Sequence, residues 1–140
     1  MKEYKTHSYE ETVKLGERVA KSLPKSSVVA FLGGLGMGKT AFTTGFAKGL
    51  GIDVDISSPT FAICNTYIGD ENTLYHFDMY RIEDESEAQE LGLDEFFYGN
   101  GVCMIEWAEN IKNMLPKNLI TINIAKLGEN EREIEILGVK

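Results

Sequence analysis

Val28-Val29-Ala30-Phe31-Leu32-Gly33-Gly34-Leu35-Gly36-Met37-Gly38-Lys39-Thr40 is the stretch on which the fold turns. Its first five residues are all apolar, which suits a strand covered on both faces. Its last eight match the phosphate-loop pattern G-x-x-x-x-G-K-[ST] at every position. Glycines let successive backbone N–H groups turn inward around a phosphate, and the N-terminus of the helix that follows adds the positive end of its dipole. In this pattern the lysine, Lys39, reaches the β- and γ-phosphates, and the hydroxyl of Thr40 ligates Mg²⁺. A glycine-rich turn with no ligand would need neither residue.

The flanks agree with a strand–loop–helix unit. From Lys39 to Leu50 the residues Phe42, Phe46 and Leu50 recur at i, i+4, i+8, and Gly51 is a natural stop. Upstream, Val13, Leu15, Val19, Ala20 and Leu23 predict a helix from Glu10 to Leu23 that ends at Pro24. Downstream, Phe61–Tyr67 and Thr73–Tyr80 are rich in aromatic and β-branched residues and flank the turn Gly69-Asp70-Glu71-Asn72, which predicts a hairpin. Ser86-Glu87-Ala88-Gln89 has a capping-box pattern and predicts a short acidic helix stopped at Gly92. Val102 to Ile105 is a second wholly apolar strand, and Asn118–Ile124 and Arg132–Leu137 close the chain as two further strands. The order predicts one domain, residues 1–140, of the α/β class with a mixed central sheet flanked by helices.

A phosphate loop needs a carboxylate at the end of a neighbouring strand to hold Mg²⁺, directly or through water. Glu106 follows the apolar run Val102-Cys103-Met104-Ile105, and Asp78 follows Tyr75-His76-Phe77. Pattern alone leaves open which of the two touches the metal. Thr60, in Ser57-Ser58-Pro59-Thr60, is a candidate for sensing the γ-phosphate or positioning water, although an ordinary proline-containing turn is the simpler reading. Trp107, the one tryptophan, either packs in the core or caps the nucleotide. His76 alternates with aromatic residues and reads as a core histidine.

Composition bounds the rest. The chain has 14 basic residues against 22 acidic ones, a formal net charge of -8 and only three arginines, Arg18, Arg81 and Arg132. Nucleic-acid affinity comes largely from neutralising phosphates, so unaided tRNA binding is not expected. The apolar run at residues 28–32 falls far short of the ~18 residues a membrane span needs, and a cytoplasmic protein with no membrane partner is expected. Cys64 and Cys103 stand apart without metal-ligand spacing and read as buried thiols.

Taken together, the motifs resemble the TsaE (YjeE) family of bacterial ATPases required for making threonylcarbamoyladenosine beside the tRNA anticodon. The resemblance runs through Glu11-Thr12, Leu15-Gly16, Leu35-Gly36-Met37-Gly38-Lys39-Thr40 and Ser58-Pro59-Thr60. It continues through Tyr75-His76-Phe77-Asp78-Met79-Tyr80-Arg81, Glu90-Leu91-Gly92, Ile105-Glu106-Trp107 and Leu115-Pro116. It implies a P-loop NTPase fold, ATP and Mg²⁺ as cofactors, and TsaD-like and TsaB-like proteins as partners, with tRNA met only through that assembly. It also implies that Gly33, Leu35, Gly36, Met37, Gly38, Lys39 and Thr40 bind nucleotide, with Trp107 and Arg132 close by. Thr40 and Glu106 would ligate Mg²⁺, Asp78 would be an essential acidic residue of the Walker-B type, and Thr60 would belong to a switch-like loop.

Three positions depart from the family's usual pattern. Gly34 stands where the family has an aspartate, Ala108 where it has a proline after Glu-Trp, and Ala41 where it has a second threonine. None removes a group assigned to phosphate or metal. Two other readings compete with a partner-dependent ATPase: a nucleotide-dependent scaffold with little hydrolysis, and a small P-loop kinase. Three scattered arginines and no lid-length insertion speak against the kinase, and the lack of an Asn-Lys-x-Asp element speaks against a GTPase.

Overall fold

The computed structural model describes residues 2–32, 39–53 and 64–138. Seven strands form one sheet: β1 (Lys2–Thr6), β2 (Val28–Leu32), β3 (Cys64–Ile68), β4 (Thr73–Asp78), β5 (Val102–Glu106), β6 (Ile120–Lys126) and β7 (Arg132–Leu137). Their spatial order is β1-β7-β6-β2-β5-β4-β3. The inner four, β6, β2, β5 and β4, run parallel, and β7, β1 and β3 add antiparallel edges. This is the mixed α/β sheet expected from the sequence.

Helices cover both faces, which is why β2 and β5 are apolar at nearly every position. On one face lie α1 (Tyr9–Ser22) and α2 (Lys39–Gly49). Their Leu15, Val19, Phe42 and Phe46 pack with Val29, Phe31, Leu74, Met104 and Ile122 of the sheet. The two helices approach so closely that a Cβ on Gly45 would collide with the Val13 carbonyl, and one on Gly16 with the Phe42 carbonyl. On the other face α3 (Glu85–Gln89), α4 (Leu93–Phe97) and a 3-10 segment (Ala108–Met114) bury Ala88, Leu93, Phe97, Ala108 and Ile111 against Val28, Ala30, Phe77, Cys103 and Ile105.

Local chemistry sets the element ends. Ser8 caps α1 by accepting from the Glu11 amide at 3.1 Å, while the Glu11 carboxylate accepts from the His7 amide at 3.0 Å. The acidic segment differs from expectation. Asp84, not Ser86, is the N-cap, because its carboxylate accepts the Ser86 amide at 3.0 Å. Gly92, at φ 66°, does not merely stop a helix: it turns the chain directly into α4. Strand β1 has no apolar alternation to announce it. It is a charged edge strand, held by pairing with β7.

Candidate functional site

Parallel strands deliver their C-terminal residues to one edge of the sheet, and a ligand crevice is expected there. Strand β2 ends at Leu32, and α2 begins at Lys39 directly over the same edge. The glycine-rich residues between them, Gly33, Leu35, Gly36, Met37 and Gly38 included, lie outside the described residues, as does Thr60. Lys39 is buried, with 5% of its surface exposed, whereas Thr40 on the next position is exposed. A buried ammonium at the first turn of a helix places a positive charge and the helix N-terminus together.

The two carboxylates meet at this edge. Strand β5 lies beside β2, and β4 lies beside β5, with Asp78 paired in register with Glu106. Side chains alternate along a strand, so Glu106 shares a face with Met104 and Val102, and Asp78 with His76 and Leu74. Leu74, Val102 and Met104 belong to the core that α1 and α2 cover. Both carboxylates therefore stand on the face over which α2 starts. Glu106 is buried and accepts a hydrogen bond from His76 Nε2 at 2.9 Å; Asp78 is half-buried, and its Oδ1 accepts from the Tyr80 amide at 2.9 Å. A hydroxyl and two carboxylates are hard oxygen donors, which fits Mg²⁺ in chemical type.

Trp107 joins the same edge. It takes a left-handed conformation, φ 59°, directly after Glu106, and such strain in a non-glycine residue is costly and concentrates at functional sites. Its half-buried ring lies against Tyr80, centroids 5.0 Å apart, with the Lys39 ammonium 6.0 Å from its centroid. Of the two positions open to Trp107 in the sequence, core or site, it has features of both: the ring also packs against the apolar cluster that α3, α4 and the 3-10 segment cover.

Arg132 approaches from the other side. Its Nη1 donates to the carbonyls of Gly128, Glu129 and Glu131 at 3.1, 3.3 and 2.9 Å, which ties it to the β6–β7 turn. A cleft of about 220 Å³ runs between Arg132, Asn130, Tyr9 and Thr12 and the first turn of α2 at Ala41. Lys39, Thr40, Asp78, Glu106, Trp107 and Arg132 are thus gathered on one edge of the molecule. His76 was missed as a site residue. It is a buried histidine as expected, but its hydrogen-bond partner is Glu106, 30 positions away. The cysteines are free, Cys103 buried and Cys64 half-buried.

Residues 6–134 match the family model described as Threonylcarbamoyl adenosine biosynthesis protein TsaE. The chain is 46% identical over 136 residues to the tRNA threonylcarbamoyladenosine biosynthesis protein TsaE of Bacillus subtilis, covering 97% of this chain and 85% of that one. It is 40% identical over 131 residues to the protein of the same description from Treponema pallidum, covering 94% of this chain and 96% of that one. The crystal structure of YdiB from Bacillus subtilis superposes with a TM-score of 0.81 at 39% identity, covering 99% of this chain and 86% of that one. None of the described helices is long and apolar enough to cross a membrane.

Proposed function

The chain belongs to the TsaE family and has its P-loop NTPase fold, and from that premise we propose that it is a Mg²⁺-dependent ATPase serving threonylcarbamoyladenosine formation in tRNA. The observation that carries the reading is the in-register pair Asp78 and Glu106, on the sheet face where α2 begins with Lys39 and Thr40. Each carboxylate has a local partner, His76 or the Tyr80 amide, but two like charges side by side repel, and a cation held there would offset that repulsion.

In this reading Lys39 holds the β- and γ-phosphate oxygens, and the loop amides of residues 33–38 complete the cradle. Thr40 and Glu106 hold Mg²⁺. When bound, that ion supplies the charge that neutralises the terminal phosphates. Asp78, whose Oδ1 is oriented by the Tyr80 amide, receives a proton from the attacking water or orients it. Thr60 contributes from its loop. Trp107 closes the phosphate end of the site, and the cleft along Arg132 and Ala41 takes the nucleoside end.

TsaD-like and TsaB-like proteins are the proposed partners, and tRNA is reached only through them. The charge of -8 with three arginines supports this, since it offers little to neutralise an RNA backbone. Slow hydrolysis by the lone chain follows from the same shortage of cations: an arginine supplied in trans raises such rates by ~10³ or more. The test measures ATP turnover and tRNA binding for the chain alone and then with both partners. Full-rate turnover and tight tRNA binding by the lone chain at physiological salt would contradict the proposal. A scaffold with little hydrolysis would bind ATP and the partners and release no phosphate over many turnovers.

A further inference from the structure

The geometry points to His76 as a positioning residue that fixes the orientation of the Glu106 carboxylate toward the metal; the inference rests on the reading of Glu106 as a Mg²⁺ ligand. His76 is 2% exposed and Glu106 7% exposed, and their side chains meet at 2.9 Å through Nε2 and Oε2. An ionised carboxylate has only lone pairs, so the proton of this bond sits on Nε2. The bond uses one of the roughly four lone-pair positions of a carboxylate.

The position makes little sense as packing. His76 pairs in register with Met104 and lies on the face of β4 that also bears Leu74, inside the apolar core under α1 and α2. Its other ring nitrogen, Nδ1, is buried with no hydrogen-bond partner among the described residues. A buried polar atom left unpaired costs stability, and an aliphatic side chain here would avoid that cost. What the histidine contributes in exchange is the Nε2–H aimed at Glu106. A glutamate has three side-chain torsions, and a donor fixed within the sheet one strand away removes most of that freedom. Outer partners of metal ligands act in this way, and their loss commonly weakens metal binding 10–100-fold.

The test is calorimetric and does not depend on turnover. ADP affinity is measured as a function of Mg²⁺ concentration for the parent, H76L, H76Q and E106Q, alongside urea unfolding of each. H76L should need at least about tenfold more Mg²⁺ for half its effect on ADP binding, with ADP affinity in excess EDTA unchanged, while urea unfolding registers the loss of a donor to the buried Glu106 carboxylate. H76Q, whose amide nitrogen can take the place of Nε2, should recover most of the parent's Mg²⁺ affinity. H76L with parental Mg²⁺ dependence, while E106Q loses it, would overturn the positioning role and leave Glu106 as a ligand. E106Q with parental Mg²⁺ dependence would overturn the metal reading itself. Should H76L not fold, H76N, too short to reach Glu106, stands in its place under the same two outcomes.

Discussion

The Lys39 ammonium lies 6.0 Å from the centroid of the Trp107 ring, and that ring packs against Tyr80 at the rim of the sheet edge. The two residues come from different elements, α2 and the turn after β5, and the tryptophan lies beside the lysine that the proposed function places on the phosphates. ATP or ADP should therefore change the Trp107 fluorescence, and Lys39→Ala should weaken nucleotide binding. A charge-assisted contact contributes roughly 1.5–3 kcal/mol, so the loss should be on the order of tenfold to a hundredfold. Unchanged affinity by calorimetry would remove the phosphate-loop reading, and an unresponsive tryptophan would separate Trp107 from the site.

Glu106→Ala and Thr40→Ala should each raise the Mg²⁺ concentration needed for tight nucleotide binding. Thr40 is exposed on the first turn of α2, so its change should leave the urea midpoint close to the parent's. Glu106 is buried, and its removal leaves His76 without its carboxylate, so some stability should go with it. Parental Mg²⁺ dependence in either variant would strike that residue from the ligand set.

Asp78→Asn separates charge from structure. Asparagine keeps an oxygen that accepts the Tyr80 amide, now 2.9 Å from Oδ1, so the turn after β4 should hold. The proton acceptor is lost. Turnover in the partner-bound state should fall roughly 10²-fold while ADP affinity stays within about threefold. Full turnover in this variant would deny Asp78 a part in the chemical step.

Gly45→Ala tests the contact that seats α2 over the sheet. The new methyl would collide with the Val13 carbonyl of α1, which is backbone and has little room to move. A loss of about 1–3 kcal/mol in urea unfolding is expected, against the helix-propensity gain an alanine brings elsewhere. A stabilised variant would mean that the two helices are further apart than described.

Cys103 supplies a pH signature. Burial, and secondarily the neighbouring Cys64, pushes its thiol from 9.0 up to about 12. Cys64 is raised as well, chiefly by burial, with the hydrogen bond to Thr66 working against the shift. A thiol raised on folding contributes stability that is present below its unfolded value and lost as pH climbs from about 9 toward about 12. The alkaline fall in stability should therefore be shallower in Cys103→Ala than in the parent. At pH 8, Cys103 should remain unlabelled by a thiol reagent until urea unfolds the chain; rapid labelling in the native state would contradict its burial.

Much of this protein was decided locally. The five apolar residues of β2 and the helical spacing after Lys39 are written in nearly consecutive positions, so strand and helix could be read without knowledge of the rest. The hairpin β3–β4 and the strand β5 were legible for the same reason; Phe61 to Ile63 of the expected first hairpin strand lie outside the described residues, and β4 and β5 end within two residues of the expectation. Of the acidic pair, α3 was legible except for its cap, since Asp84 and Ser86 offer nearly equal caps, whereas α4 was not, because a five-residue helix is set by the turn that precedes it. Strand β1 was invisible, since a charged edge strand exists only through its ladder with β7. The same division runs through the site. Lys39 and Thr40 follow from a pattern along the chain, whereas the pairing of Asp78 with Glu106 and the bond from His76 to Glu106 join positions about 30 residues apart. Local sequence carries no information on which strands will lie side by side. Burial of both sheet faces makes that choice, and it alone turned two strand-end carboxylates and a core histidine into neighbours.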